Sequence, residues 1–323
     1  MKKSIWIPLV CLLLAALMAG TVWGIRALKP EPETPPTLTE DTPEPTATEP
    51  ETDPEPEVET TVKLTEEQIL ARQESLQGKY VAILGDSIST YDGISNDGNV
   101  RTTIDSYNAW YNGDWQQAME SPNQTYWGAV IEKLGMQLLI NNSCGGNKLT
   151  QMSGTGVAVD AGYNRVEKLT PNTGELKDTK PDLIFIFMGT NDYISNLPLG
   201  ELTPDIYENV AFGTDFITPF SFTEAYVITL EKASKLYPDS EIYIFTLIPT
   251  HYNDNPALLN EYNNRIRQLA AHYDNVALVD VAANSGISYQ NYRDFTFDGT
   301  HPNIPGMAAI AQVLEQAILN NPQ

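Results

Sequence analysis

The sequence predicts an α/β fold, a doubly wound and mostly parallel sheet of five strands. Five short apolar runs recur between residues 79 and 279, helical patterns lie between or after most of them, and no second break in composition follows Val62. Apolar runs without polar alternation suit strands covered on both faces, and their alternation with helices is the pattern of a parallel sheet. The sequence contains no internal repeat, so residues 63–323 read as one domain of catalytic size.

Thr65-Glu66-Glu67-Gln68 reads as a capping box opening a helix, with Ile69, Leu70 and Leu76 as apolar positions and Gly78 as its stop. Lys79–Leu84 is the first strand and ends at Gly85. Further strands fall at Met136–Ile140, Leu183–Met188, Glu241–Leu247 and Val276–Val279. Helices are expected at Tyr126–Leu134, Ser221–Tyr237, Pro256–Tyr273 and Ile304–Leu319.

Two segments precede this domain. Residues 1–29 hold Lys2 and Lys3 and then 21 residues, Ile5 to Ile25, without a charge. As a helix they span roughly 30 Å, one bilayer core. A cleaved signal peptide and an uncleaved membrane anchor both fit. The poor small-x-small matches around Ala19 and Thr21 favour the anchor, and Cys11 lies too early in the run for lipidation. Two leading lysines and a following acidic segment suit an N-in orientation, which leaves the remainder exported to the cell surface.

Residues 30–62 hold 9 Pro, 9 Thr and 11 Asp or Glu, with no Lys or Arg. Such a segment buries too little apolar surface to offset its ordering entropy and reads as a disordered stalk. The whole chain carries −23, of which the stalk supplies −11. That acidity excludes a nucleic-acid partner, because phosphates require Lys and Arg. Two cysteines exclude a disulfide scaffold and a four-cysteine zinc site, and three histidines leave little for a metal centre. No cofactor is expected.

In open α/β sheets, ligands bind beyond the carboxyl ends of the strands. After the first strand comes Gly85-Asp86-Ser87 and after the second Asn141-Asn142-Ser143-Cys144-Gly145-Gly146-Asn147. After the third comes Gly189-Thr190-Asn191-Asp192, and near the C-terminus Asp298-Gly299-Thr300-His301-Pro302. Singly, Gly-Asp-Ser is a common turn, Asn-Asp a common cap, and Asp298 an available cap for the last helix. Their placement sets them apart. A serine hydroxyl becomes a nucleophile when a base takes its proton, and His301 is the candidate base. Asp298, three residues earlier, faces the same way in a turn and can fix the imidazole tautomer. Oxyanion donors are available at the N–H groups of Ser87 and Gly146 and the side chain of Asn191. His251, in a loop, and His272, in a predicted helix, are read as structural. Cys144 is read as a small buried hydrophobe.

From about Lys79 to the C-terminus the chain resembles the SGNH hydrolases, the GDSL-type esterases and lipases. Gly85-Asp86-Ser87 matches the family's first block and Gly189-Thr190-Asn191-Asp192 its third, while Asp298-Gly299-Thr300-His301-Pro302 matches the last. Ile88 stands where many members have leucine. The second block aligns on Gly146, with Gly145 as the alternative. The resemblance implies a three-layer α/β/α, flavodoxin-like fold. It implies Ser87 as nucleophile, His301 as base, Asp298 as its acid, and Gly146 and Asn191 as oxyanion donors, with no metal. Absence of a Gly-x-Ser-x-Gly elbow separates the sequence from the α/β-hydrolases.

The substrate is expected to be a small-molecule or glycan ester. The insert from Tyr91 to Tyr126 carries Tyr107, Trp110, Tyr111, Trp115 and Tyr126, and Tyr193 follows the third block. Flat aromatics among Asn and Asp can stack on sugar rings or pack the insert onto the core. The sequence has no long apolar lid segment, which favours short acyl groups on carbohydrates. A lipase or lysophospholipase, an acyltransferase and a catalytically silent glycan-binding module remain the alternatives.

Overall fold

The structure of the protein, a computed structural model, describes residues 64–92, 94, 110–111, 119–150, 161–208 and 221–321. The expected anchor or signal and the stalk lie outside the described residues, as do Tyr107 and Trp115.

Five strands form one sheet: β1 (Tyr80–Gly85), β2 (Gln137–Ser143), β3 (Leu183–Phe187), β4 (Glu241–Phe245) and β5 (Val276–Val279). Their order is β2-β1-β3-β4-β5, and every neighbouring pair is parallel. All five residues of β3 and all five of β4 are buried, as strands covered on both faces must be. Helices α2 (Tyr126–Lys133) and α8 (Ile304–Leu319) pack together, and α1 (Glu66–Ser75) rests on α8. In the other helical layer α3 (Gly162–Arg165) packs on α5 (Phe222–Leu236), and α4 (Thr190–Ile194) packs on α6 (Pro256–Ala270). A short helix α7 (Val281–Asn284) also touches α8.

The capping box at Thr65 forms as the sequence predicts, with the Thr65 hydroxyl and the Gln68 side chain bonding reciprocally. Polar residues hide the true end of the second strand. Asn141, Asn142 and Ser143 look like a loop but pair with Ile83, Leu84 and Gly85 inside the sheet. Asn141 donates to the Ser89 carbonyl (2.9 Å) and Asn142 to the Arg165 carbonyl (3.1 Å), and the Asn142 oxygen accepts from Arg165 Nε (3.0 Å). The helix expected to run to Tyr273 ends at Ala270, so His272 sits in a turn, stacked on Tyr207 with ring centroids 4.0 Å apart.

The chain winds outward in both directions from β1 and β3. Ligands of doubly wound sheets bind where the strand order reverses, which here is the gap beyond the ends of those two strands. Phe187 and Phe245 stack below that edge with centroids 4.8 Å apart, and Tyr126 meets both edge-on.

Candidate active site

Ser87 opens a single 3₁₀ turn, Ser87–Ser89, directly after β1, and the Asp86 carboxylate caps it by accepting from the Ile88 N–H at 2.9 Å. Ser89 pins the turn to the core. Its carbonyl accepts from Trp127 Nε1 (3.0 Å) and Asn141 Nδ2 (2.9 Å), and its hydroxyl pairs with the Tyr126 hydroxyl at 2.8 Å. Gly85 permits this closeness: a Cβ there would stand 2.4 Å from Ser89 Oγ and 2.7 Å from Ser143 Oγ.

The Asp298–Pro302 segment is a tight turn just before α8. Asp298 Oδ1 accepts from the N–H groups of Thr300 (3.0 Å) and His301 (2.8 Å). Its other oxygen lies 2.8 Å from His301 Nδ1, and His301 Nε2 lies 2.8 Å from Ser87 Oγ. A continuous relay thus joins carboxylate, imidazole and hydroxyl. Burial pushes the Asp298 carboxyl up, but the hydrogen bonds and charge of His301 outweigh it, and the carboxyl is held at about 2. Asp298 is therefore a carboxylate at neutral pH and selects the tautomer with the Nδ1 proton. Capping α8 falls to Asn303, which leaves Asp298 to the imidazole.

The second and third motifs meet beyond the end of β1. Cys144 N–H donates to the Gly85 carbonyl at 3.1 Å, and the chain then turns through Gly145 and Gly146, the latter at φ +74°. Asn191, in the first turn of α4, donates from Nδ2 to the Asn147 carbonyl at 2.9 Å. Asp192 staples the same loop by accepting from the N–H groups of Leu149 (2.7 Å) and Thr150 (3.1 Å) and from the Thr150 hydroxyl (2.8 Å). Burial pushes Asp192 up to about 6 against these bonds. It pushes Asp86 up to about 7, with the nearby Asp192 charge adding to the shift. Neither carboxyl is part of the relay.

The sequence expectations are met unevenly. Ser87, Asp298 and His301 are in direct contact, and Asn191 and Gly146 border one loop. Tyr111, Tyr126 and Tyr193 are fully buried, so they pack the core and offer no face to a sugar. Trp110 lies flat on His301 with centroids 3.6 Å apart and planes 10° from parallel. His251, read as a plain loop residue, packs against the acid–base turn. Its N–H donates to the Gly299 carbonyl (2.9 Å), and its Nδ1 lies 3.3 Å from the Thr300 hydroxyl. No motif marks either contact, because each joins residues far apart in the chain. Among the described residues no group of three or more His, Cys, Asp or Glu is placed to hold a metal ion.

A family model described as GDSL-like lipase/acylhydrolase matches residues 79–318. Among solved structures, a protein from Bacteroides ovatus described as a GDSL-like lipase is 26% identical, with TM-score 0.54, over 74% of this chain and 97% of its own. A second so described, from Bacteroides uniformis, is 25% identical with TM-score 0.50, over 73% of this chain and 93% of its own. A Lactobacillus plantarum protein, 18% identical with TM-score 0.50 over 74% and 96%, shares the fold. No curated protein matches the chain. With its sheet, its motif order and the match over residues 79–318 in agreement, the chain belongs to the GDSL-like lipase/acylhydrolase family of ester-bond hydrolases.

Proposed function

We propose that this enzyme removes short acyl groups from carbohydrate esters through an acyl-enzyme on Ser87. The observation that carries the reading is the relay of 2.8 Å contacts from Asp298 through His301 to Ser87. As Ser87 Oγ attacks the ester carbonyl, its proton passes to His301 Nε2. The tetrahedral oxyanion is met by the N–H groups of Ser87 and Gly146 and by the Asn191 side chain, each donor contributing roughly 3 kcal/mol in the transition state. His301 then gives its proton to the departing alcohol oxygen as the C–O bond breaks. A water, deprotonated by the same imidazole, attacks the acyl carbon; the bond to Ser87 Oγ then breaks, His301 returns the proton to that oxygen, and the acid is released. Asp298 orients the ring and balances the imidazolium.

A carbohydrate alcohol is supported by two exposed aromatics beside the acid–base turn. Phe297, 38% exposed, immediately precedes Asp298, and Tyr252, 60% exposed, follows the His251 that bonds Gly299. Tyr252 also lies against the His251 ring, with centroids 3.7 Å apart. Action outside the cell, on a tether, is supported by the charge-free run from Ile5 to Ile25 and the acidic stalk of residues 30–62.

The deciding experiment is a substrate panel. Acetate release from acetylated xylan and acetylated peptidoglycan is compared with hydrolysis of long-chain acyl esters, with Ser87→Ala as the blank. The expected result is Ser87-dependent release of acetate from a glycan, with long-chain esters poor. Preference for long chains would make it a lipase or lysophospholipase. Ester formation on an added sugar would make it a transferase. A wild-type protein inert on the whole panel would fit a glycan-binding module.

A further inference from the structure

Trp110 and Tyr111 form a strap across the relay. The Trp110 N–H donates to the Thr90 hydroxyl at 2.7 Å, and that hydroxyl donates to the Ser87 carbonyl at 2.8 Å. The Tyr111 hydroxyl donates to the Pro302 carbonyl, one residue past His301, at 3.0 Å. One dipeptide thus binds the nucleophile turn with its first residue and the acid–base turn with its second. Between these two attachments the indole covers one face of the imidazole, with the 3.6 Å stack at 10°. An indole face attracts a cation strongly, and the attraction grows where water is excluded. His301 is only 7% exposed.

We propose that Trp110 is a positioning residue for His301. The inference rests on the assignment of Ser87 as nucleophile. The indole restricts rotation of the imidazole, keeping Nε2 aimed at Ser87 and Nδ1 at Asp298. It also stabilises the imidazolium that exists only after Ser87 has lost its proton. Such stabilisation is greater in the transition state than in the ground state, so it acts on kcat. Among the described residues, the other groups around the imidazole are the Asp298 carboxylate, the Ser87 hydroxyl, the Tyr111 phenol on Pro302 and, across Thr300, His251.

The test uses the full chain and p-nitrophenyl acetate, an ester without a sugar, so that stacking on a substrate ring plays no part. Trp110→Leu keeps an apolar side chain and removes the π face, whereas Trp110→Phe keeps a smaller one. Trp110→Leu is expected to lose about tenfold in kcat with KM nearly unchanged, and Trp110→Phe to recover most of that loss. Wild-type kcat in Trp110→Leu would overturn the proposal, as would a loss confined to KM or Trp110→Phe being as impaired as Trp110→Leu. Should Trp110→Leu fail to fold, the unmodified enzyme supplies the test. Protonating an imidazole stacked on indole quenches its fluorescence, so a pH titration of tryptophan emission is expected to show a step that His301→Gln lacks. Identical titrations in the two proteins would overturn the stack. Ser87→Ala separates the two claims. If it remains fully active, the nucleophile assignment fails. If it is inactive while Trp110→Leu is unimpaired, only the role of Trp110 fails.

Discussion

At Gly85 a missing side chain is what lets the Ser87 turn close, since a Cβ would meet Ser89 and Ser143 at under 3 Å. Beside it each residue of the relay carries a distinct expectation. Ser87→Ala should reduce kcat for p-nitrophenyl acetate by roughly 10⁴-fold or more, and Asp298→Asn by a similar factor, because either change disables the proton relay. Asn191→Ala should lose roughly 10²–10³-fold, the value of one oxyanion donor. Steady-state kinetics on the three variants check that ranking. Asp86 yields a prediction about stability. Burial pushes its carboxyl up to about 7, whereas in an unfolded chain it titrates near about 3.9. Between those values the folded state holds a proton that the unfolded state has lost, so ionisation of Asp86 erodes stability as pH rises. Asp86→Asn cannot ionise. Its melting temperature relative to wild type should therefore increase from pH 5 to pH 8. A difference that stays constant with pH would remove Asp86 from that titration.

The turn from Asp298 to Pro302 carries half the relay, and Gly299 is its weak point. Gly299 sits at φ +84°, and a Cβ there would lie 2.9 Å from His251 Nδ1. Gly299→Ala should cost about 1–3 kcal/mol of stability, measured by urea unfolding, and should lower kcat with it. Unchanged stability and turnover would show that the turn adapts freely. Elements that obey a single period were legible in the sequence. Strand β5 occupies Val276–Val279 as expected, and α8 ends at Leu319 as expected. The end of β2 was not legible, because the amide N–H groups of its buried Asn141 and Asn142 donate to the carbonyls of Ser89 and Arg165, in distant parts of the chain. Short α3, α4 and α7 carry four or five residues each, too few for a helical period to show. The contact of Ser87, Asp298 and His301 was legible because these residues stand in short motifs, the first directly after a predicted strand and the last just before α8. The Trp110–His301 stack was not, because only the folded chain joins the insert to the C-terminal turn.

For the whole molecule, the proposed catalysis and the proposed tether fall on different lengths of chain. Every group in the relay lies between Ser87 and His301, and the domain described begins at Leu64. A chain lacking residues 1–62 should therefore keep wild-type kcat on a soluble ester while leaving the membrane fraction for the soluble one. Retention of the shortened chain at the membrane would contradict the tether, and loss of turnover would contradict the domain boundary. The net charge of −23 divides in the same way, with −11 of it in residues 30–62, outside the length that carries the relay. The sheet contributes the remaining ingredient, a reversal of strand order at β1 and β3 that opens the gap where the motifs converge. The central claim is that Ser87 is the nucleophile activated by His301. Peptide mapping by mass spectrometry after reaction with a fluorophosphonate tests it most directly. One adduct is expected, on Ser87, formed fast in the wild type and far more slowly in His301→Gln. An adduct on another residue, or an enzyme that hydrolyses esters without reacting at Ser87, would contradict it.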